Sequence, residues 1–303
     1  MFFLIFPPKN ETRGSIHVKV LPLLDGNPGS GDRENRIAPA PIRTRDTVMT
    51  SAHIDSNGSY LEPMLRKLEY WHKLSPEDQA AILSLPHTVR RLETHHYIVR
   101  EFDRAEYSCA LLSGFAIRHK IVAGGQRQII AIHMKGEMVD LQNSLLGRAD
   151  HSVQMLTAGK VAMIARDAIK RIAFERPAVG HAMWTDSLVD ASISREWIAN
   201  VGRRNARTRL AHLLCEFSLR LKVSGMGEQN NYELPMTQDQ LADATGLTSV
   251  HVNRTIRGLE KEGLIERSNP RVIGIGDWRK LAEAGDFNSN YLHLKDGEPA
   301  LLD

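Results

Sequence analysis

The spacing of apolar residues changes twice along the chain, from helical to strand-like and back. Ser75 and Pro76 begin a predicted helix that runs towards Pro86, because serine caps helix N-termini and proline suits the first helical position. From about residue 95 to residue 164, short apolar stretches alternate with turn residues, and no helical period connects them. This pattern predicts several short strands that form a small antiparallel barrel or roll.

A helical pattern returns at Arg166, and a long helix is predicted from Pro177 to about Val201. Its apolar stripe could pack against the helix's own domain. Because the stripe is long and follows a compact β-domain, we instead interpret the helix as a dimerisation helix. The residues predicted to form the dimer interface are Trp184, Leu188, Ala191 and Ile198, and Ile193 and Trp197 widen the stripe.

The segment from Asn205 onwards predicts a further helix, a loop and then two short helices joined by a tight turn. Asn205 is suited to cap the first of these helices. Gly225, Gly227, Asn230 and Asn231 mark the loop. Thr237 and Gln240 have the spacing of a capping box, Gly246 permits the turn, and Thr248 can cap the last helix.

The last predicted helix has one apolar face and one polar face. Val252, Ile256 and Leu259 are spaced by four and three residues and form the apolar face. The opposite face carries side chains that can read base edges, since arginine can bond guanine, asparagine can bond adenine and an apolar group can contact a thymine methyl. The predicted base-reading residues are Ser249, Val250, His251, Asn253 and Arg254.

Behind this helix, two short strands around a turn predict a wing. Arg267 and Arg271 flank its tip, where contact with phosphate is expected. The full set of predicted phosphate contacts is Thr237, Gln238, Thr248, Arg257, Arg267 and Arg271.

Composition adds little to this pattern except in the first 48 residues. The chain of 303 residues is 42% hydrophobic and 25% charged, with a net charge of +3, values typical of a soluble globular protein of about two domains. Residues 203–282 carry 13 Lys/Arg against 9 Asp/Glu, a mild basic excess. Residues 1–48 hold 6 of the 13 prolines and show no periodicity. This segment is either disordered or an over-extended reading frame.

Several other classes of site are not supported. Cys109 and Cys215 are too few and too far apart for a disulfide scaffold, an iron–sulfur cluster or a structural zinc site, and a buried position in a reducing cytosol is expected. The apolar start MFFLIF lacks a basic flank and is a poor signal peptide, and no apolar run reaches the roughly 18 residues that span a bilayer. GxSxG, HExxH and Walker A motifs are absent, so no enzyme is predicted. The five histidines of the roll region are interpreted as surface or hydrogen-bonded core residues: His95, His96, His119, His133 and His151.

The stretch from Leu234 to Ile265, followed by Gly276-Asp277-Trp278-x-x-Leu281, resembles the C-terminal domain of the Crp/Fnr superfamily. The order of roll, long helix and winged helix-turn-helix is also similar over residues 61–281. The resemblance implies that the roll is a cyclic-nucleotide-binding-like sensor and that the long helix forms a parallel dimer seam. It also implies that paired recognition helices enter successive major grooves.

The sequence departs from cyclic-AMP-binding members at the sensor. Gly136 and Glu137 match the pair that lies near the ribose in that family, but His151 and Ser152 stand where an arginine and a serine hold the phosphate. A neutral imidazole cannot replace a forked guanidinium at a phosphate. Ser249 and Val250 also replace the Arg and Glu that precede the matching Arg254, so a different DNA half-site is expected.

The sequence therefore predicts an α+β protein with an antiparallel β-roll, a long dimerisation helix and a C-terminal winged helix-turn-helix. The predicted function is a cytoplasmic, homodimeric transcription regulator that binds palindromic double-stranded DNA without cyclic AMP, and that contacts RNA polymerase if it is an activator. No metal, iron–sulfur cluster or other cofactor is expected. The alternative is a ligand-sensing module that acts through protein contacts. The predicted divisions are an N-terminal extension (1–48), a sensor domain (61–175), a dimerisation helix (177–202), a DNA-binding domain (203–285) and a C-terminal tail (286–303).

Overall fold

The computed structural model describes residues 59–227, 230–269 and 271–295. The predicted N-terminal extension, residues 1–48, lies outside the described residues, and so do residues 296–303 of the tail. In the described part of the chain, no helix is both long enough and apolar enough to span a bilayer.

Two helices precede the β-roll. The helix α1 (Glu62–Trp71) buries Met64, Leu65 and Leu68 on one face, and α2 (Pro76–Leu83) follows it. The Ser75 side chain accepts a hydrogen bond from the backbone N–H of Asp78, which confirms the predicted cap. The helix α1 was not predicted, although its buried residues have helical spacing.

The β-roll consists of two antiparallel sheets, as predicted. The first strand begins at His87, earlier than the predicted start near residue 95, because His87–Leu92 pair with the last strand of the roll and Val89 and Leu92 are buried. One sheet has the order β1-β7-β3 and the other the order β2-β6-β4-β5. The strands are β1 (His87–Leu92), β2 (Tyr97–Val99), β3 (Tyr107–Ser113), β4 (Ala116–Ile121), β5 (Arg127–His133), β6 (Ser152–Met155) and β7 (Gly159–Ala165), with a 3-10 turn at Leu141–Ser144.

The roll leads through α3 (Arg166–Glu175) into the long helix α4 (Pro177–Arg203). Proline at the first helical position starts α4 without losing a hydrogen bond. One face of α4 is buried against the helix's own subunit. Trp197 lies on this buried face and Ile193 packs against the same core, so the prediction that these two residues widen the exposed stripe is wrong.

The C-terminal part is a winged helix. The Asn205 side chain caps α5 (Ala206–Val223), as predicted. A short strand, β8 (Asn231–Glu233), lies where the sequence predicted only a loop, because it pairs with β10 as the outer strand of the wing sheet. The remaining elements are α6 (Gln238–Thr245), α7 (Ser249–Lys261), β9 (Ile265–Asn269), β10 (Val272–Ile275), α8 (Trp278–Ala284) and a 3-10 turn at Ser289–Leu292.

The roll and the winged helix share one apolar core. Ile129 and Ile132 of β5 belong to the same buried cluster as Leu214 and Phe217 of α5 and Leu241 of α6. The predicted C-terminal tail also contributes, since the Tyr291 hydroxyl donates a hydrogen bond of 2.8 Å to the buried carboxylate of Glu216. The winged helix is therefore held by the roll over a continuous buried surface.

Candidate DNA-binding surface and sensor cavity

The first helix of the helix-turn-helix is fixed at both ends by local sequence. The Thr237 hydroxyl accepts from the backbone N–H of Gln240 at 3.2 Å, and the Gln240 side-chain oxygen accepts from the backbone N–H of Thr237 at 2.8 Å, which confirms the predicted capping box. Gly246 ends α6 with φ of +65°, a conformation that favours glycine. A Cβ atom there would also lie 3.1 Å from Val201, so the turn needs glycine for space as well.

The second helix, α7, presents the predicted faces. The Thr248 hydroxyl accepts from the backbone N–H of His251, and Val252, Ile256 and Leu259 are all buried. The side chain of Val250 is 79% exposed. Arg254 is also exposed and forms no ion pair with a described residue. An exposed guanidinium can bond guanine, and an exposed apolar side chain can contact a thymine methyl.

Two of the residues predicted to contact DNA are hydrogen-bonded to each other. The Asn253 amide donates a hydrogen bond of 3.0 Å to the Gln238 side-chain oxygen, which links α7 to α6. His251 and Ser249 are half-buried at the start of α7. The structure thus brings all five predicted base-reading residues together on the first two turns of α7.

The residues predicted to contact phosphate differ in whether their side chains are exposed or already paired within the protein. Thr237, Thr248, Arg257 and Arg271 are exposed. Arg267 instead lies within β9, and its guanidinium forms two hydrogen bonds, of 2.7 Å and 2.8 Å, to the carboxylate of Glu260. A phosphate contact by Arg267 would have to compete with this pair, which the sequence alone did not reveal.

The predicted dimer stripe is exposed on α4. The exposed fractions are 66% for Trp184, 54% for Leu188 and 72% for Ile198, and Ala191 is half-buried. Large apolar side chains aligned along one face of a 27-residue helix are typical of a surface for protein–protein contact.

A cavity of about 500 Å³ lies between α4 and the roll, at the predicted sensor site. Gly136 has φ of +92°, and a Cβ atom there would lie 2.6 Å from the Pro63 carbonyl oxygen. The neighbouring Glu137 carboxylate lies 3.1 Å from Arg220, 3.2 Å from His133 and 3.9 Å from Lys67. Burial alone raises the pKa of Glu137, but these three groups outweigh burial and hold it well below its usual range. Glu137 is thus a buried anion already paired with α5.

His151 is a neutral residue in this cavity. Its Nδ1 lies 2.6 Å from Asp150, and its Nε2 lies 3.0 Å from the Gln142 amide. Burial, with Arg118 nearby, lowers the pKa of His151 to about 4. The hydroxyl of Ser152 accepts from the backbone N–H of Glu101 at 3.0 Å. The side chains of both predicted pocket residues, His151 and Ser152, are therefore already hydrogen-bonded within the protein.

Sequence reasoning missed the ion pair between Arg118 and Asp190, which lines the cavity. Arg118 of β4 is buried, and its Nη1 lies 2.7 Å from Asp190 of α4, while its Nη2 donates to the Val139 carbonyl at 3.1 Å. Its Nε is buried without a described partner. A charged residue inside the apolar stretch of β4 was the available signal, but the partner lies 72 residues away.

Among the described residues, the remaining histidines of the roll and the two cysteines do not form a metal site. His95 and His96 are exposed, and His133 is buried and hydrogen-bonded, as predicted. His119 differs, since it is buried with neither ring nitrogen bonded to a described group. Both cysteines are buried and free, as predicted. Among the described residues, no three His, Cys, Asp or Glu side chains cluster as metal ligands would.

Comparisons with known proteins agree with this geometry. A Crp-like helix-turn-helix domain model matches residues 208–284, and a cyclic nucleotide-binding domain model matches residues 89–176. The transcriptional activator FnrL of Cereibacter sphaeroides is 25% identical over 201 residues, which cover 65% of this chain and 80% of that protein. The nitrogen fixation regulation protein FixK of Bradyrhizobium diazoefficiens is 27% identical over 190 residues, covering 62% and 79%.

Two solved structures share the fold. FixK2 from Bradyrhizobium japonicum superposes with a TM-score of 0.61 at 23% identity, over 66% of this chain and 98% of that one. A CooA mutant from Carboxydothermus hydrogenoformans gives 0.55 at 17% identity, over 73% and 95%. The alternative of a module acting only through protein contacts is not favoured. The chain belongs to the Crp/Fnr superfamily of DNA-binding transcription regulators.

Proposed function

We propose that the protein binds palindromic operators as a homodimer and does so without a cyclic nucleotide. The observation that carries the proposal is the exposed face of α7, where Arg254 and Val250 are free to meet base edges. Val252, Ile256 and Leu259 bury the opposite face of α7, so the exposed face is the one available to DNA.

The homodimer is supported by the exposed stripe of Trp184, Leu188 and Ile198 on α4. A two-fold dimer through α4 places two copies of α7 side by side, and such pairs read half-sites about one helical turn apart. The operator is therefore proposed to be a palindrome.

Independence from cyclic nucleotides is supported by the cavity. Glu137 is paired with Arg220, and Arg118 is paired with Asp190, so these four charged groups already neutralise one another. His151 is neutral and cannot act as the anion anchor.

Neither catalysis nor a cofactor is part of the proposal. Several relatives are named as transcriptional activators, and contact with RNA polymerase follows for this chain only if it also activates.

The test is selection of bound duplexes from a random DNA library by the full chain, with and without cyclic AMP. We expect a palindromic consensus in both selections, with affinity that falls steeply as salt rises, because phosphate contacts release counterions. A consensus that appears only with cyclic AMP would overturn the effector-independent proposal, and the absence of any consensus would overturn specific reading.

A further inference from the structure

The strand β5 runs along the winged helix and contacts it at both ends. At its start, Arg127 Nε lies 2.7 Å from the Asp243 carboxylate of α6, and the Gln128 amide donates to the Ala244 carbonyl at 3.3 Å. At its end, Arg220 of α5 donates to the Ile132 carbonyl at 2.7 Å. Polar contacts therefore join both ends of β5 to the winged helix.

Between these contacts the strand is apolar and buried. Ile129 and Ile132 are 0% and 1% exposed and belong to the core cluster that includes Leu214 and Leu241. Apolar packing sets how closely the two parts approach, but it is non-directional. The hydrogen-bonded ion pair fixes the angle of α6, since guanidinium and carboxylate have a narrow range of favourable geometry.

We propose that Arg127 and Asp243 are positioning residues that hold the helix-turn-helix on β5 in its DNA-reading orientation. Asp243 lies at the C-terminal end of α6, one turn before Gly246, whereas the predicted phosphate contacts Thr237 and Gln238 lie at its start. The pair therefore acts on DNA binding through the orientation of α6 and α7 and not by touching DNA.

The groups around the pair are consistent with this role. The Arg127 guanidinium also donates to the Gln154 side chain at 3.4 Å. Arg209 of α5 donates to the Thr245 carbonyl at 2.9 Å, which ties the same end of α6 to the rest of the winged helix. Arg127 and Asp243 are 28% and 27% exposed, so both side chains are partly accessible to solvent.

The experiment is a charge swap in the full chain. Arg127→Asp and Asp243→Arg alone set like charges against each other and should each weaken binding to the selected duplex about tenfold. The double variant Arg127→Asp/Asp243→Arg restores the pair and should return affinity to within about threefold of the parent. Glu283→Arg makes the same charge change as Asp243→Arg at an exposed site on α8 and calibrates the effect of added positive charge.

A second readout does not depend on DNA. Hydrogen exchange of the α6 amides should be faster in both single variants and return to the parent rate in the double variant. Unchanged exchange and affinity in the single variants would overturn the proposal, and so would losses that the swap does not recover.

The proposal rests on the proposed function only for its affinity readout. If no duplex can be selected, specific reading fails, while exchange in α6 still decides whether the pair positions the helix. Should a reversed charge prevent folding, Arg127→Gln and Asp243→Asn provide milder breaks of the same pair and are expected to give smaller losses of the same sign.

Discussion

Arg254 is the side chain from which we expect the largest single contribution to sequence reading. It is exposed on α7 and has no ion-pair partner among the described residues. Arg254→Ala should cost about 1–3 kcal/mol on the selected duplex and relax the preference at one base pair. Competition binding against single-base variants of that duplex measures both effects. An equal loss on selected and random DNA would show that Arg254 contacts only phosphate.

Arg271 on the wing serves for comparison with Arg254, because it is predicted to contact phosphate and not a base. It is exposed just before β10. Arg271→Ala should weaken binding to all sequences alike and make the salt slope shallower by about one, because one phosphate contact is lost. Titrations at several salt concentrations test this, and a change in base preference would contradict it.

His151 gives the protein a pH-dependent stability. Its pKa is lowered to about 4 by burial and by Arg118, against about 6.5 in an unfolded chain, so the folded state disfavours the proton. Stability is therefore present above pH 6.5 and is lost as the pH falls towards 4. The loss from this residue should be about 2–3 kcal/mol between pH 7 and pH 4.5. His151→Gln should show a smaller fall in melting temperature over this range, and an identical fall would place the acid sensitivity elsewhere.

Single residues were predictable where their partners are near in sequence. Thr237 with Gln240 and Thr248 with His251 are three residues apart, so their caps could be inferred. Arg118 pairs with Asp190, 72 residues away, and no local pattern indicates which carboxylate a buried arginine meets. Most of the helix-turn-helix was therefore predicted, and the ion pairs of the cavity were not.

At the scale of elements, the long helix α4 has one exposed face and one buried face. Leu188 is 54% exposed on the outer face, whereas Val189 beside it is buried. Leu188→Glu would place a charge in the proposed dimer seam, where an unpaired buried charge is costly. We expect a monomer by light scattering and weaker binding to the palindromic duplex, although the helix-turn-helix is unchanged.

The control for this prediction is Phe174→Glu on α3. Phe174 is 74% exposed and lies outside α4, so the same kind of substitution should leave the dimer intact. A Leu188→Glu protein that remains dimeric would place the interface elsewhere.

Secondary-structure elements were predicted less well where the spacing of their residues is compatible with more than one arrangement. The strand β8 has only three residues and exists because β10 offers it a partner, so a local reading finds only the loop residues around it. The spacing of Ile193 and Trp197 suits either face of α4, and only contact with α5 shows that Trp197 points inwards, where its indole N–H donates to Glu216. Periodicity shows that a face is apolar and does not show what covers it.

For the whole molecule, the order of the parts was predictable but their mutual orientation was not. The sequence predicts a roll, a helix and a winged helix, yet nothing local indicates that Ile129 and Leu241 share a core. The shared core fixes the winged helix on the roll, and the proposed reading of DNA without an effector relies on this arrangement.

The last prediction therefore concerns the cavity and its response to cyclic nucleotides. A cyclic phosphate entering the cavity would meet a neutral His151 and an Arg118 already held by Asp190 at 2.7 Å. The phosphate would also lack the charge-assisted bidentate bond that a guanidinium in place of His151 supplies, a loss of several kcal/mol. Because each 1.4 kcal/mol changes affinity tenfold, a micromolar site would weaken towards millimolar.

We expect isothermal titration to detect no binding of cyclic AMP or cyclic GMP to the full chain at physiological concentrations, and a Kd below about 10 µM would contradict this. His151→Arg then separates two explanations of a negative result. Measurable affinity in that variant would mean that only the anion anchor is missing. If affinity stays undetectable, the Arg118–Asp190 pair is the remaining obstacle, and His151→Arg combined with Asp190→Asn should relieve it, because Arg118 is then free to meet the phosphate.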